Sequence, residues 1–275
     1  MAHRLERIQH VPIFQLSFRA AFRNGKAAPG NADSKMCLLN PLYGIDAPDV
    51  VRNLIVLGVI CLGVSLLVPP FHLGSGVVDL HGFWVTGVVF LLCGGTMMFY
   101  SLRGKFHHRD RMLALAKLRG DENVLDVGTG RGLLLVGAAK QLTTGRAVGL
   151  DIWKTSDLSG NARERTEKVL EQEGVADRCR LLERPAQDSG LPDGSFDVVV
   201  SNLCLHNLQT RADRDQACRE IARILKPGGV AVISDFVKTG QYAAVFRARG
   251  LQVRRAFVAW YVFPPLSVIE VRKPA

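Results

Sequence analysis

The sequence predicts an α/β domain built on a mostly parallel seven-stranded sheet with one antiparallel strand, preceded by two transmembrane helices. Three observations carry this prediction. Residues 54–100 of the 275-residue chain contain no Lys or Arg and a single acid, Asp79. Beyond Gly120, apolar β-rich runs alternate with amphipathic segments of helical length, the pattern of a parallel sheet covered on both faces. A glycine-rich turn follows the first of those runs.

The positive charge of the chain is concentrated beside its apolar block. The chain carries 35 Lys and Arg against 25 Asp and Glu, and its mean hydropathy is nevertheless positive, at +0.13. Residues 101–120 hold six of those bases and one acid, whereas residues 121–275 are nearly balanced. A nucleic-acid-binding domain carries its basic excess on the folded surface. We therefore expect a lipid bilayer as a partner, and no nucleic acid.

Two membrane spans are predicted, over residues 50–68 and 80–100. The first ends at Pro69-Pro70 and is just long enough to cross a hydrocarbon core of roughly 30 Å. The second has Trp84 near one end and Tyr100 at the other, where interfacial aromatics are common. The alternative is a pair of buried helices in a soluble domain. It is disfavoured because such helices generally carry a polar stripe.

The charges that flank the spans predict their orientation. Arg52 precedes the first span and six bases follow the second, so the positive-inside rule places both termini and the folded domain in the cytoplasm. Residues 1–49 then form a cytoplasmic tail without a signal peptide, starting at Met1 or Met36. Residues 103–120 form a basic juxtamembrane helix that is expected to lie near the bilayer and to cover the acceptor. His107 and His108 on this helix are expected to be solvated.

The domain over residues 121–275 has seven predicted strands. The last two have no helix between them, so they are expected to pair as a hairpin around Pro264-Pro265 and to supply the antiparallel strand. Helices are expected at 133–142, 161–173, 212–225 and 242–249. The strands are expected at 123–127, 147–151, 179–183, 196–201, 230–236, 253–260 and 267–272.

The candidate binding residues follow the first two of these strands. Ligands of parallel sheets bind at the carboxyl ends of the strands. Gly128, Gly130 and Gly132 form a turn there whose N–H groups can face a ligand, but their G-x-G-x-G spacing is not that of a dinucleotide fingerprint. Asp151 ends the next strand, where a carboxylate can accept hydrogen bonds from a ribose diol. Together they indicate a nucleoside with a non-phosphate tail.

These motifs resemble the class I methyltransferases that use S-adenosylmethionine. The resemblance covers roughly residues 120–273 and rests on four motifs in order: Val124-Leu-Asp-Val-Gly-Thr-Gly-Arg-Gly132, Gly149-Leu-Asp151, the Leu191–Ser201 segment and the Arg223–Ile233 segment. Within the family, the chain is most similar to the small-molecule branch that includes ubiquinone/menaquinone and sterol methyltransferases. The resemblance implies a Rossmann-like fold and S-adenosylmethionine as the cofactor.

The resemblance also implies roles for individual residues. The loop from Gly128 to Gly132 would hold the methionine moiety, with Asp126 supporting it. Asp151 would bind the ribose hydroxyls, Ile152 would lie beside it, and Asn202 would line the site.

One position departs from the family pattern. The family has an acid followed by Ala where this chain has Pro185-Ala186. Either Asp188, three residues on, takes the place of that acid in holding the adenine amino group, or the backbone alone holds it.

His206, just past the fourth strand, is the candidate catalytic base. A methyl acceptor needs a base only if it must lose a proton, and a histidine that merely packs there is the alternative. Trp153 either stacks on the adenine or packs in the core, and Cys204 is expected in the core. The cysteines have no paired spacing, so no metal site is expected.

The sequence thus predicts a membrane-anchored methyltransferase that acts on a lipid-soluble or membrane-proximal acceptor. Two alternatives remain open at this point. The acceptor could be small and polar, with the hairpin serving only as an anchor. The chain could also be a non-catalytic scaffold that binds S-adenosylmethionine at the membrane.

Overall fold

The computed structural model describes residues 43–154 and 161–275. Most of the predicted cytoplasmic tail, including Met36, lies outside these residues. The described chain begins with two apolar helices, α1 (Pro48–Leu67) and α2 (Phe83–Phe99), close to the bounds expected for the two spans. Both pass the length and hydropathy test for membrane helices, with mean hydropathies of 2.3 for α1 and 1.7 for the helix that starts at Phe83.

Helices α1 and α2 approach each other closely because glycines of one helix face large side chains of the other, as Gly58 faces Leu91 and Gly87 faces Leu62. A Cβ atom on Gly87 would lie 2.9 Å from the carbonyl oxygen of Gly58, so no side chain fits at this crossing. Ser65 Oγ donates a hydrogen bond of 2.6 Å to the carbonyl of His81. Many other large apolar residues of the pair are exposed, and they include Val56, Leu57, Val59, Ile60, Leu66, Trp84, Val85, Val89, Leu92 and Phe99. Small residues at the helix crossing are common where helices pack in lipid.

The connection between the two helices contains a short β-hairpin. Strands β1 (Phe71–Leu73) and β2 (Gly76–Val78) pair in antiparallel fashion, where the sequence predicts only a loop. Strands of three residues are too short to show a periodic pattern, which is why the sequence does not reveal them.

Helix α2 continues without a break into the folded domain. A π-helical turn, Tyr100–Gly104, joins it to α3 (Lys105–Ala116). The apolar face of α3 is not available to a bilayer, because Met112 and Leu113 are fully buried in the core of the domain. Lys105, the first residue of the same helix, lines the cavity described below.

His108 is buried, contrary to the expectation that it is solvated. Its Nε2 lies 2.7 Å from Ser234 Oγ and its Nδ1 lies 3.1 Å from Tyr261 Oη. Burial, with the charge of Arg111 as the next cause, lowers the pKa of His108 to about 4, so the ring is neutral near pH 7. The helical phase explains the error: His108 shares a face with the buried Met112, whereas the adjacent His107 points outward.

The folded domain is a seven-stranded sheet in the order β5-β4-β3-β6-β7-β9-β8. Strand β9 is antiparallel to both of its neighbours and all other pairs are parallel, which confirms the predicted topology. The strands are β3 (Asn123–Val127), β4 (Arg146–Asp151), β5 (Cys179–Glu183), β6 (Phe196–Asn202), β7 (Leu225–Asp235), β8 (Gln252–Ala259) and β9 (Leu266–Arg272).

Helices cover both faces of this sheet. They are α4 (Leu133–Ala139), α5 (Arg163–Gln172), α6 (Arg211–Ile224) and α7 (Thr239–Ala248). Alternate residues of one strand enter different cores: Val124 packs with α3 and α4, and Leu125 packs with α6 and α7. Strand β7 begins earlier than predicted, because Leu225 already pairs with Phe196 across a bulge. The strand order reverses between β3 and β6, where a sheet of this type opens a cleft.

Candidate active site

The glycine-rich turn after β3 has a left-handed backbone, and its first glycine lies so close to Cys204 that a side chain is excluded there. Gly128, Gly130 and Gly132 all have positive φ, at 75°, 49° and 83°. A Cβ atom on Gly128 would lie 2.3 Å from the Sγ atom of Cys204. The sequence therefore uses glycine here for both the left-handed backbone and the close contact.

Asp126 supports the turn from inside the protein. It is 1% exposed, and its Oδ2 accepts hydrogen bonds from Thr129 Oγ1 (2.8 Å) and from the backbone N–H of Leu135 (3.0 Å). Burial raises the pKa of Asp126 to about 7. The carboxylate thus joins the turn to the first residues of α4 and does not itself line the cavity.

Asp151 braces the turn from the end of β4. Its Oδ2 accepts from the N–H of Gly130 and its Oδ1 from the N–H of Trp153, both at 2.7 Å. Each carboxylate oxygen can accept more than one hydrogen bond, so the group can still receive a diol. The Trp153 indole is buried and donates to the Gly130 carbonyl and to Thr166 Oγ1. The structure thus favours packing of Trp153 in the core over stacking on the adenine.

A cavity of about 570 Å³ opens above these residues. Its volume is in the range of small-molecule sites. Five of the residues chosen from the sequence as cofactor contacts line it: Gly128, Gly130, Asp151, Ile152 and Asn202. The Oδ1 atom of Asn202 is buried at the wall of this cavity.

Pro185, Ala186 and Gln187 line the end of the cavity where the family resemblance implies the adenine. Asp188 is exposed and does not belong to the lining, because the chain turns away after Gln187. The Oε1 atom of Gln187 is buried and accepts no hydrogen bond. A side-chain acceptor is thus present beside Pro185, one residue before the acid that the sequence suggested.

His206 faces the cavity from the short helical turn after β6, with a buried carboxylate behind it. Its Nδ1 lies 2.8 Å from Oδ1 of Asp235, although the ring is not aligned for a straight hydrogen bond. Asp235 is fully buried and accepts hydrogen bonds from Tyr242 Oη and from the N–H groups of His206 and Phe236. The His206 imidazole therefore has the Asp235 carboxylate beside Nδ1, and its side chain is 19% exposed where it lines the cavity.

The other end of the cavity is formed by residues that the sequence did not single out. Met97 and Tyr100 belong to the end of α2, Lys105 to α3, and Asp46 and Ala47 to the chain just before α1. Val262, Phe263 and Leu266 come from the β8–β9 hairpin. The site thus extends from the carboxyl ends of the strands to the base of the two apolar helices. Among the described residues, no three His, Cys, Asp or Glu side chains form a metal site.

A family model described as a methyltransferase domain matches residues 125–233, which include the glycine-rich turn, Asp151 and His206. The chain contains a class I S-adenosylmethionine-dependent methyltransferase domain. Its cofactor is S-adenosylmethionine, and the residues fit that molecule. The first glycine of the turn leaves no room for a side chain, and a carboxylate ends β4 at the point where a ribose would lie.

Several relatives of the methyltransferase domain are named as methyltransferases of quinones or sterols. The chain is 33% identical to a demethylmenaquinone methyltransferase from Lactiplantibacillus plantarum over 46% of its length and 51% of that protein. It is 32% identical to the ubiquinone/menaquinone biosynthesis C-methyltransferase UbiE of Hydrogenovibrio crunogenus, over 47% and 48%. It is 31% identical to a sterol 4-C-methyltransferase of Caenorhabditis elegans, over 46% and 35%. The chain thus spans about half the length of these relatives or less.

Solved structures show the same fold. The YcgJ protein from Bacillus subtilis matches with a TM-score of 0.51 and 16% identity, over 62% of this chain and 99% of that one. The [4+2]-cyclase SpnF matches with a TM-score of 0.53 and 17% identity, over 64% and 84%. Since one neighbour is named a cyclase, the fold alone does not define a reaction.

The expected contact between Asp151 and the ribose hydroxyls can be tested by substitution. Replacing Asp151 with Ala is expected to weaken S-adenosylhomocysteine binding by about 1.5–3 kcal/mol, roughly ten- to a hundredfold, because two charge-assisted hydrogen bonds are lost. Titration calorimetry on the solubilised full-length protein measures this. The Asp188→Asn variant is the control and keeps wild-type affinity, because that side chain lies outside the cavity. Unchanged affinity in a folded Asp151→Ala variant would remove Asp151 from the site.

Proposed function

We propose that this chain is a membrane-anchored methyltransferase whose acceptor is a lipid-soluble or membrane-proximal small molecule. The observation that carries the proposal is the position of the cavity. One end holds the cofactor residues Gly128 and Asp151, and the other is lined by Met97 and Tyr100 at the end of the second apolar helix. An acceptor dissolved in a membrane would reach the site along this side of the protein.

The surface of the helical pair supports the membrane part of the proposal. In a soluble protein most large apolar side chains of a helical hairpin would be buried, whereas here many of them are exposed although glycines let the two helices pack closely. An exposed apolar surface of this extent marks an interaction site or a membrane. The quinone and sterol acceptors named for the relatives are themselves apolar molecules, which agrees with a lipid-soluble acceptor.

The chemistry requires an aligned nucleophile and, for an acceptor with an acidic proton, a base. When bound, S-adenosylmethionine supplies an electrophilic methyl group on its sulfonium. The apolar lining around Phe263 and Leu266 excludes water and orients the acceptor. His206 would take the acceptor's proton on Nε2 as the acceptor atom bonds to the methyl carbon and the methyl–sulfur bond breaks, so that the sulfur leaves as the neutral thioether of S-adenosylhomocysteine. Asp235, 2.8 Å from Nδ1, stabilises the imidazolium that results.

Labelled methyl transfer tests the acceptor class. The full-length protein is reconstituted in lipid vesicles and incubated with methyl-labelled S-adenosylmethionine, a membrane lipid extract and a pool of water-soluble metabolites. We expect the label in the organic-solvent fraction. Label only in the aqueous fraction would show a polar acceptor and contradict the proposal. Measurable cofactor binding with no transfer to either fraction would show a non-catalytic scaffold.

We further propose that the methyltransferase domain and both termini lie in the cytoplasm. A reporter fused after residue 275 is then expected to read cytoplasmic, and one inserted near Ser75, between β1 and β2, to read external. A cytoplasmic signal at both positions would contradict the two-span arrangement. Recovery of the protein in buffer without detergent would do the same.

A further inference from the structure

Residues 43–47, which we call the entry segment, lead directly into α1 and are fixed over the cavity. Lys105 Nζ donates to the carbonyls of Tyr43 (3.1 Å) and Gly44 (2.6 Å). The N–H of Asp46 donates to Ser101 Oγ at 3.0 Å. Ser101 and Lys105 both belong to the continuous helix that leads from α2 into α3. The entry segment is therefore held at the base of the helical pair formed by α1 and α2.

The entry segment also contacts the glycine-rich turn. Gly44 has a φ of 62°, and a Cβ atom there would lie 1.8 Å from Nη1 of Arg131. Arg131 lies between Gly130 and Gly132 of the turn. The backbone of the entry segment thus lies directly against the guanidinium group of Arg131 in the glycine-rich turn.

The strand order relates this segment to the expected cofactor contacts. With the adenine at the lining residues after β5 and the ribose at Asp151 after β4, as the family resemblance implies, the turn after β3 comes next across the sheet. A molecule laid across these strand ends places its methionine moiety at the turn, beside Arg131 and the entry segment. The methionine moiety is a zwitterion, so it needs one anionic and one cationic partner there.

Asp46 is the anionic group available at this position. It lines the cavity, its Oδ2 is buried without a hydrogen-bond partner, and its side chain as a whole is 36% exposed. Lys105 Nζ lies 3.5 Å from Oδ2 but already donates to two carbonyls. Burial raises the pKa of Asp46, with Lys105 and Arg131 acting in the opposite direction, so the carboxylate gains from a further cation.

We propose that Asp46 binds the α-amino group of the methionine moiety of S-adenosylmethionine, and that Arg131 faces the carboxylate of that moiety. The cofactor site is then completed by a residue that precedes the first apolar helix, two positions before α1 begins at Pro48. This inference rests on the cofactor and is independent of the proposed acceptor.

Two ligands that differ only at the amino-acid end test the role of Asp46. S-adenosylhomocysteine carries the amino and carboxylate groups, whereas methylthioadenosine keeps the adenosine and the sulfur but lacks both. In the full-length protein in detergent, Asp46→Asn is expected to weaken S-adenosylhomocysteine binding by about ten- to a hundredfold, the effect of losing a charge-assisted hydrogen bond. Binding of methylthioadenosine is expected to change less than about twofold.

The matched control is Asp49→Asn, which removes an exposed carboxylate three residues along. It is expected to leave both affinities unchanged. Equal weakening of both ligands by Asp46→Asn would overturn the proposal, because Asp46 would then act on the shape of the site. Unchanged S-adenosylhomocysteine affinity would overturn it directly. Failure of the wild-type protein to bind either ligand would overturn the cofactor site itself, and the role of Asp46 with it.

Discussion

Replacing His206 with Gln is expected to lower the turnover number for methyl transfer by about 10²- to 10⁴-fold, the contribution typical of a general base. Gln fills a similar volume but cannot accept the proton of the acceptor. S-adenosylhomocysteine affinity is expected to stay within about twofold of wild type, because the glycine-rich turn and Asp151 are untouched. The loss should therefore appear in kcat rather than in cofactor binding.

The kinetic parameters separate a base from a histidine that only packs. A base acts on the reacting acceptor, so its loss is expected to lower kcat while cofactor affinity is kept. His107→Gln is the control, because that ring is exposed and lies outside the cavity. A folded His206→Gln variant with wild-type kcat would show that His206 is not the base. A change in KM alone would show that it only positions the acceptor.

Replacing Gly128 with Ala is expected to lower the free energy of unfolding of the folded domain by about 2–5 kcal/mol and to abolish measurable cofactor binding. The left-handed backbone costs an L-residue about 1–2 kcal/mol. Overpacking against Cys204, whose Sγ would lie 2.3 Å from the new methyl group, costs about 1–3 kcal/mol more. Chemical denaturation and calorimetry with S-adenosylhomocysteine measure the two effects.

Two further variants divide this cost between its causes. Gly190 has a φ of 65° and nothing within 4 Å of its missing Cβ, so Gly190→Ala is expected to show only the backbone cost and normal cofactor binding. Adding Cys204→Gly to Gly128→Ala removes the clash and is expected to restore about half of the lost stability. If Gly128→Ala and Gly190→Ala prove equally mild, the close contact between the turn and Cys204 does not exist in solution.

The elements that the sequence predicts correctly are those whose signal is local. The strands of the sheet are marked by short β-branched runs, and the turn after β3 by its three glycines. Because parallel strands end at a common edge, placing Asp151 and Asn202 at strand ends was sufficient to bring them to one cavity. Two long uncharged runs likewise predicted α1 and α2 to within a few residues.

The features that the sequence did not reveal depend on contacts between distant residues. Asp46 and Lys105 meet only because the chain returns through the helical pair. His108 was misassigned because two adjacent histidines look alike until the phase of the helix is known. Asp235 could have been predicted. It ends β7, which lies beside β6, the strand that precedes His206. The rule that ligands bind at the carboxyl ends of parallel strands, which identified Asp151, therefore applies to Asp235 as well.

The continuous helix from Phe83 to Ala116 has a mechanical consequence. Its 34 residues form a rod of about 50 Å, one end lined with outward apolar side chains and the other packed into the core of the domain. If the apolar end is embedded in a bilayer, a stiff rod of this kind holds the methyltransferase domain at a set height and angle instead of letting it swing on a tether. The reacting atom of an acceptor then has to reach one fixed depth relative to the membrane surface. The length of this helix would then select acceptors by the distance between their reactive group and their apolar tail.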